Sequence, residues 1–227
     1  YGCEQLLRLP DSFWCYDPRT TAPEVSPLPA AARGQITFGC LNNFCKLNAG
    51  VLKLWARVLN AVADSRLLLL AAPGSRRQWV RDILVGQGIA SDRVTFVPFQ
   101  PRHSYLAFYH QIDIALDTFP YNGHTTSLDA YWMGVPVVTL AGQTTVARGG
   151  VSQLTNLGLW KLIAHSPEQF VEIAQALARD LPRLSLLRAT LRERLQRSPL
   201  MDAPRFAKNI ESSFRAVWKK WCADIAS

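Results

Sequence analysis

The sequence predicts an α/β fold, a parallel sheet wrapped on both faces by helices. Three observations carry this reading. Short apolar runs of strand length recur, as at Ile36 to Leu41, Arg66 to Ala72 and Ile112 to Leu116. Between them lie stretches with apolar residues at helical spacing, such as Leu52, Leu54, Trp55, Val58 and Leu59. Glycine and proline punctuate the joints, notably Pro73-Gly74-Ser75, Gly86 with Gly88, and Gly134 with Pro136. Strands buried on both faces read as continuous apolar runs, and strand–helix alternation implies right-handed crossovers between parallel neighbours.

Residues 1–33 stand apart. The segment from Asp17-Pro18 to Pro29 is rich in proline, alanine and threonine and reads as a linker. Leu6-Leu7-Arg8-Leu9 and Phe13-Trp14-Cys15-Tyr16 are too apolar for a solvated tail and are expected to belong to a preceding domain. From Gly34 the alternation begins: strand 36–41, helix 49–62, strand 66–72, helix 76–85, then strand 93–99 with Pro98 at its end. A short helix from His103 to Tyr109 leads to the strand Ile112 to Leu116. Helix 125–133, strand 135–140, helix 147–156 and a short last strand 159–163 follow. Ser166, Pro167 and Glu168 make a well-formed helix start for 166–179. Helices 183–197 and 203–222 finish the chain, so the α/β domain is expected over 34–200 and a C-terminal helix within 201–227.

Apolar residues make up 48% of the 227 and charged residues 19%, the balance of a folded chain with a substantial core. No apolar run approaches the ~18 residues of a membrane span, and no signal peptide pattern is present, so no membrane association is expected. The first residue is Tyr1, which reads as the start of a fragment of a longer chain. A net charge of +8 admits nucleic acid, a membrane surface or a phosphate-rich small ligand. The richest basic run, Arg183 to Arg197, is broken by Glu193 and reads as a solvated helix face. No ladder of aromatic and basic residues suits a nucleic-acid strand, which leaves a phosphate-bearing small molecule as the expected partner. The five cysteines are scattered without a C-x-x-C pair, so zinc is not expected and a reduced, cytoplasmic setting fits. Cys40 and Cys45 read as core or near-core thiols.

In parallel sheets ligands bind beyond the carboxyl ends of the strands, which collects loops 41–48, 73–75, 99–105, 117–126 and 140–147 on one rim. The chain is organised around the stretch from Asp113 to Gly142. There an apolar strand runs into Asp117-Thr118-Phe119-Pro120-Tyr121-Asn122-Gly123, and His124-Thr125-Thr126 opens a helix. A helix start offers unpartnered N–H groups and partial positive charge, a setting for a diphosphate. The same residues also suit an ordinary turn in which Thr125 or Thr126 caps the helix. Lys46, in the loop after the first strand, falls on the same rim and can neutralise phosphate, and Asn43 can donate an amide. Asp129 is placed to share the face of Thr125 and Thr126, as a ribose acceptor or as a first-turn acid. Tyr105 and Phe108, one turn apart, suit either base stacking or the core. No G-x-G-x-x-G, G-x-x-x-x-G-K-[ST], G-x-S-x-G or D-x-D occurs, so dinucleotide, P-loop and serine-hydrolase readings fail and no divalent-ion cluster is evident. A site of lysine and amides, without metal or other cofactor, remains.

DTFPYNGHTTSLDAYWMGVPVVTLAG, with LNNFCKLN upstream and RGGVSQLTNLGL downstream, resembles the catalytic C-terminal half of the O-GlcNAc transferase / Spindly family. The resemblance covers about residues 1 to 222 and is most like the bacterial members. It implies the second, Rossmann-like domain of a two-domain (GT-B-type) glycosyltransferase, inverting and metal-independent, moving GlcNAc from UDP-GlcNAc to protein Ser/Thr hydroxyls. It further implies an N-terminal catalytic domain and helical repeats in the full-length chain, so that this fragment alone binds nucleotide and does not catalyse. By position, Lys46 matches the lysine on the donor phosphates, His124, Thr125 and Thr126 the diphosphate turn begun by Asn122 and Gly123, and Asp129 the ribose acid. Asn43 falls where animal enzymes have a glutamine, and Gln100 where the backbone meets the uracil. Tyr105 and Phe108 replace a histidine and an arginine packed on the base, which leaves the base open. Spindly relatives use GDP-fucose, so a protein O-fucosyltransferase is the alternative. A nucleotide-sugar epimerase or hydrolase half, or a non-catalytic scaffold, is the reading from other classes.

Overall fold

The structure is a computed structural model that describes residues 6–19 and 23–226, with side chains through residue 224. Its centre is a six-stranded sheet: β1 (Thr37–Cys40), β2 (Arg66–Leu70), β3 (Val94–Val97), β4 (Ile114–Leu116), β5 (Val137–Leu140) and β6 (Ile163–Ala164). Every pairing is parallel, in the order β3-β2-β1-β4-β5-β6. The helices are α1 (Pro29–Arg33), α2 (Ala49–Ala61), α3 (Ser75–Val85), α4 (Arg102–Ala107), α5 (Thr125–Trp132), α6 (Gly149–Asn156), α7 (Pro167–Arg179), α8 (Leu181–Gln196) and α9 (Ala203–Ala226). This is the Rossmann-like α/β class the alternation predicts. Among the described residues no helix is long and apolar enough to cross a membrane.

The strands are mostly apolar because both faces are largely covered; Arg66 of β2 and Thr95 of β3 are exposed. Phe38, Leu67, Leu69, Val138 and Ile114 are fully buried, alongside Trp55 and Leu59 of α2, Tyr131 of α5 and Phe170 of α7. The strand order reverses between β1 and β4, which pair through Phe38 with Ile114 and Gly39 with Ala115. Glycine is needed there: a Cβ on Gly39 would lie 2.5 Å from Ile112 Cδ1. Asn48 and Ser166 cap α2 and α7 by accepting from Val51 N and Gln169 N at 3.0 and 3.1 Å.

Three expectations are corrected. The last strand begins only at Ile163, because 160–162 form a 3-10 turn. The arginine run is a solvated face only in part: Arg183, Arg194 and Arg197 are exposed, but Arg188 and Arg192 turn inward. Arg188 is 1% exposed and donates to the carbonyls of Ser26, Ile112 and Tyr109 at 2.8, 2.8 and 3.0 Å. Burial lowers its pKa to about 10. Arg192 donates to Trp132 O and Pro23 O, both at 2.7 Å. A guanidinium presents a planar fork of donors, and on the stripe of Leu184, Leu191 and Leu195 it satisfies buried carbonyls from distant segments. Cys45 is exposed, with its thiol 2.9 Å from Asn43 Oδ1, whereas Cys40 is buried as expected; Cys3 lies outside the described residues.

The arginines tie down the segment read as a linker. Tyr16, Leu28 and Ala30 join the core, Tyr16 N donates to Leu200 O at 2.7 Å, and Ala30 N and Thr37 N donate to the Asp113 carboxylate, both at 2.8 Å.

Candidate functional site

The switch in strand order opens a crevice beyond the carboxyl ends of β1 and β4. The loop after β1 carries Asn42, Asn43 and Lys46, and the loop after β4 carries residues 117–124. Asn42 is buried and joins the two: its Nδ2 donates to Thr118 Oγ1 at 3.0 Å, and its Oδ1 accepts from Thr126 Oγ1. Lys46 Nζ donates to Asn122 O at 2.8 Å and sits 4.0 Å over the Tyr121 ring. Burial lowers the lysine pKa, and Asp117 opposes that shift. No ion pair neutralises this ammonium among the described residues.

The turn is built by Asp117. Its Oδ1 accepts from Thr118 N at 2.9 Å and Gly123 N at 2.6 Å, and its Oδ2 accepts from Thr139 Oγ1 at 2.7 Å. Burial raises its pKa to about 6 against these hydrogen bonds. The Asn122 side chain is turned inward, donating to Thr118 O at 3.0 Å and accepting from Gly150 N at 3.3 Å. A side chain at Gly123 would collide with Ser127 Oγ and stand 3.1 Å from Asn42.

His124 is the N-cap of α5, but no side chain caps the helix. Neither Thr125 nor Thr126 acts as the cap that the sequence left open, and the amino end of α5 faces the crevice with Lys46. Thr125 is exposed and Thr126 half-buried. The His124 imidazole is ringed by Phe13, Trp14 and Tyr121 at centroid distances of 5.9, 5.1 and 5.4 Å, and its Nε2 is buried without a partner. Burial first, and then Lys46, lower its pKa.

Asp129 departs from its expected placement. Its carboxylate is buried beneath the rim instead of lying free beside the threonines. Arg102 Nη1 reaches Oδ2 at 2.7 Å and Nη2 reaches Oδ1 at 2.6 Å, while Tyr16 OH donates to Oδ1 at 2.8 Å. The physical reason is desolvation: a carboxylate buried to 1% exposure in an apolar layer needs a cation, and Arg102 supplies it. Tyr105 is half-buried, its hydroxyl 3.1 Å from that of Tyr109, which donates to Thr126 O at 2.9 Å. Phe108 packs against the core, Gln100 is exposed between β3 and α4, and no hydrogen bond links either to the cluster. Asn43 is spent in part on a local cap, accepting from Cys45 N at 3.1 Å.

The structure thus brings together Lys46, Asn122, Gly123, His124, Thr125 and Thr126, with Asn43 at the edge. Sequence reading missed Asn42, Arg102, Asp117 and Tyr16. Asp117 stands at a strand end directly before the glycine turn, a signal that was available. Tyr16 lies 113 residues from Asp129 and nothing local announces their contact.

Residues 21–210 match the family described as glycosyl transferase family 41. A relative from Petunia hybrida, named a probable UDP-N-acetylglucosamine–peptide N-acetylglucosaminyltransferase SPINDLY, is 44% identical over 99% of this chain and 25% of its own length. The similarly named SEC protein of Arabidopsis thaliana is 30% identical over 97% of this chain and 23% of its own length. The chain therefore spans about a quarter of the curated relatives it matches. Among solved structures, a mutant of the Thermobaculum terrenum O-GlcNAc transferase superposes with a TM-score of 0.89 at 36% identity, covering 98% of this chain and 42% of that one. A sucrose-phosphate synthase from Thermosynechococcus elongatus shares the fold at a TM-score of 0.58 and 15% identity, over 88% of this chain and 52% of that one. With most of its length matched by the family and its sheet shared with solved glycosyltransferases, the chain belongs to glycosyl transferase family 41.

Proposed function

We propose that this chain is the donor-binding half of an inverting, metal-independent protein O-glycosyltransferase that moves GlcNAc from UDP-GlcNAc to Ser/Thr hydroxyls. One observation carries the reading. A partly desolvated lysine, Lys46, has a neutral carbonyl as its hydrogen-bond acceptor and stands at the switch point beside the uncapped amino end of α5. Such a corner suits an anion. The β-phosphate would meet the Lys46 ammonium and the N–H and hydroxyl groups of Thr125 and Thr126, with the imidazole of His124 beside them. As the acceptor oxygen attacks the anomeric carbon, UDP leaves and charge grows on that phosphate. Donors already fixed in place stabilise the transition state more than the ground state. Ribose hydroxyls would compete with Arg102 and Tyr16 for Asp129. Gln100, Tyr105 and Phe108 are the groups offered to the base, and the remainder of the longer protein would supply the acceptor side.

Calorimetric titration of this chain with UDP and with GDP tests the reading. UDP binding is expected, and Lys46→Met should weaken it by about tenfold while leaving it measurable. Stronger binding of GDP would favour the fucosyltransferase alternative, and binding of neither would leave a scaffold. For the full-length protein, GlcNAc transfer to peptide that persists in excess chelator is expected. Free or isomerised sugar nucleotide as the product would point to a hydrolase or epimerase.

A further inference from the structure

The peptide unit joining Asn122 to Gly123 is held from both ends. Its carbonyl accepts from Lys46 Nζ at 2.8 Å, and its N–H donates to Asp117 Oδ1 at 2.6 Å. The carboxylate is itself fixed by Thr118 N on the same oxygen at 2.9 Å and by Thr139 Oγ1 of β5 on the other at 2.7 Å. The peptide has little freedom to turn. Asn122's side chain is anchored to Thr118 O and Gly150 N, and a Cβ on Gly123 would collide with the Ser127 hydroxyl beside Asn42. A carboxylate on the N–H of an amide polarises it and strengthens its oxygen as an acceptor, more so where water is excluded. Asp117 is 4% exposed.

We propose that Asp117 is a positioning residue for donor binding, acting through the Asn122–Gly123 amide to hold the Lys46 ammonium where the diphosphate meets it. The inference rests on the reading of Lys46 as the diphosphate lysine. It separates from mere support of the turn in two ways. Removing a negative charge near an anion site should by itself strengthen anion binding, so weakened binding on neutralising Asp117 reports lost positioning. The weakening should also require the ammonium that is being positioned, and so disappear when Lys46 is gone.

The experiment is a double-mutant cycle read by UDP calorimetry on this chain: wild type, Asp117→Asn, Lys46→Met and the pair. Asparagine keeps an oxygen for Gly123 N–H and Thr118 N–H, and its amide can donate to the Thr139 hydroxyl, so chiefly the charge is lost. Asp117→Asn is expected to weaken UDP about tenfold with Lys46 present and less than about twofold in the Lys46→Met background. Unchanged or tighter UDP binding in Asp117→Asn overturns the proposal, as does an equal loss in both backgrounds. Thr139→Val, which removes one donor to the carboxylate from a strand behind the site, keeps the test open should Asp117→Asn not fold. It should weaken UDP about threefold, again only with Lys46 present, and equal effects in both backgrounds overturn the proposal. If Lys46→Met alone leaves UDP affinity unchanged, the diphosphate reading itself fails, an outcome distinct from additivity.

Discussion

Arg102 and Asp129 face each other fork to fork, Nη1 to Oδ2 at 2.7 Å and Nη2 to Oδ1 at 2.6 Å, across the start of α4 and the middle of α5. The carboxylate side chain is 2% exposed and the guanidinium 33%. The same guanidinium reaches Tyr16 OH and Pro18 O, both at 3.3 Å, so the pair also fastens the early segment to the domain. Removing the cation leaves a buried carboxylate with one hydroxyl. Arg102→Ala is expected to cost about 2 kcal/mol, the discount from a fully buried pair reflecting the partial exposure of Arg102. The urea midpoint measures it, and an unchanged midpoint would mean that water replaces the guanidinium.

Among the described residues no carboxylate forms an ion pair with Lys46, and its side chain is only half-buried. Lys46→Ala should therefore leave far-UV circular dichroism and melting nearly unchanged. Turnover by the full-length protein should fall on the order of 100-fold or more, the ~3 kcal/mol lost with one fixed transition-state donor. Steady-state rates on a peptide acceptor check this, and near-normal turnover would refute the assignment.

Asp117 makes stability depend on pH in a predictable direction. Its folded pKa is raised by burial from 3.8 to about 6, so between these values the folded chain binds the extra proton. For this group, stability is greatest below the lower value and falls as pH rises to the upper one. Asp117→Asn removes that contribution. Relative to the variant, the wild type should lose roughly 2 to 3 kcal/mol between pH 4 and pH 7. Denaturant melts of both proteins across that range measure the difference, and parallel curves would sink the prediction.

Arg188 donates from the interior of α8 to carbonyls of Ser26, Ile112 and Tyr109. Arg188→Leu fills part of the volume but leaves these acceptors unpaired. A cost of about 3 kcal/mol is expected, with faster proteolysis around residues 23–28 as the segment detaches. Limited proteolysis with mass spectrometry would show it.

Much of this molecule was legible from local pattern. The six strands and the longer helices fall within a few residues of where apolar runs, caps and glycines place them, because those signals act over one helical turn or one strand. The sixth strand was displaced because Trp160 to Leu162 are spent on a 3-10 turn. The arginine run was misread at Arg188 and Arg192: Arg188 shares the buried stripe of Leu184, Leu191 and Leu195, and what an arginine does there is set by the carbonyls of Ser26 and Tyr109, far away in the chain.

The sequence by itself determined an α/β chain with a glycine turn after one strand, a lysine after another and a helix opening in His124-Thr125-Thr126. Only the tertiary structure decided that β1 and β4 are neighbours, so that Lys46 lies against Asn122, that Asp117 holds the turn while neither Thr125 nor Thr126 caps α5, and that Asp129 is met by Arg102 and Tyr16. The reason is range: caps, turns and periodicity are set by residues a few positions apart. Strand order and the pairing of buried charges are set by which distant surfaces exclude water together, and neither is written in any one segment.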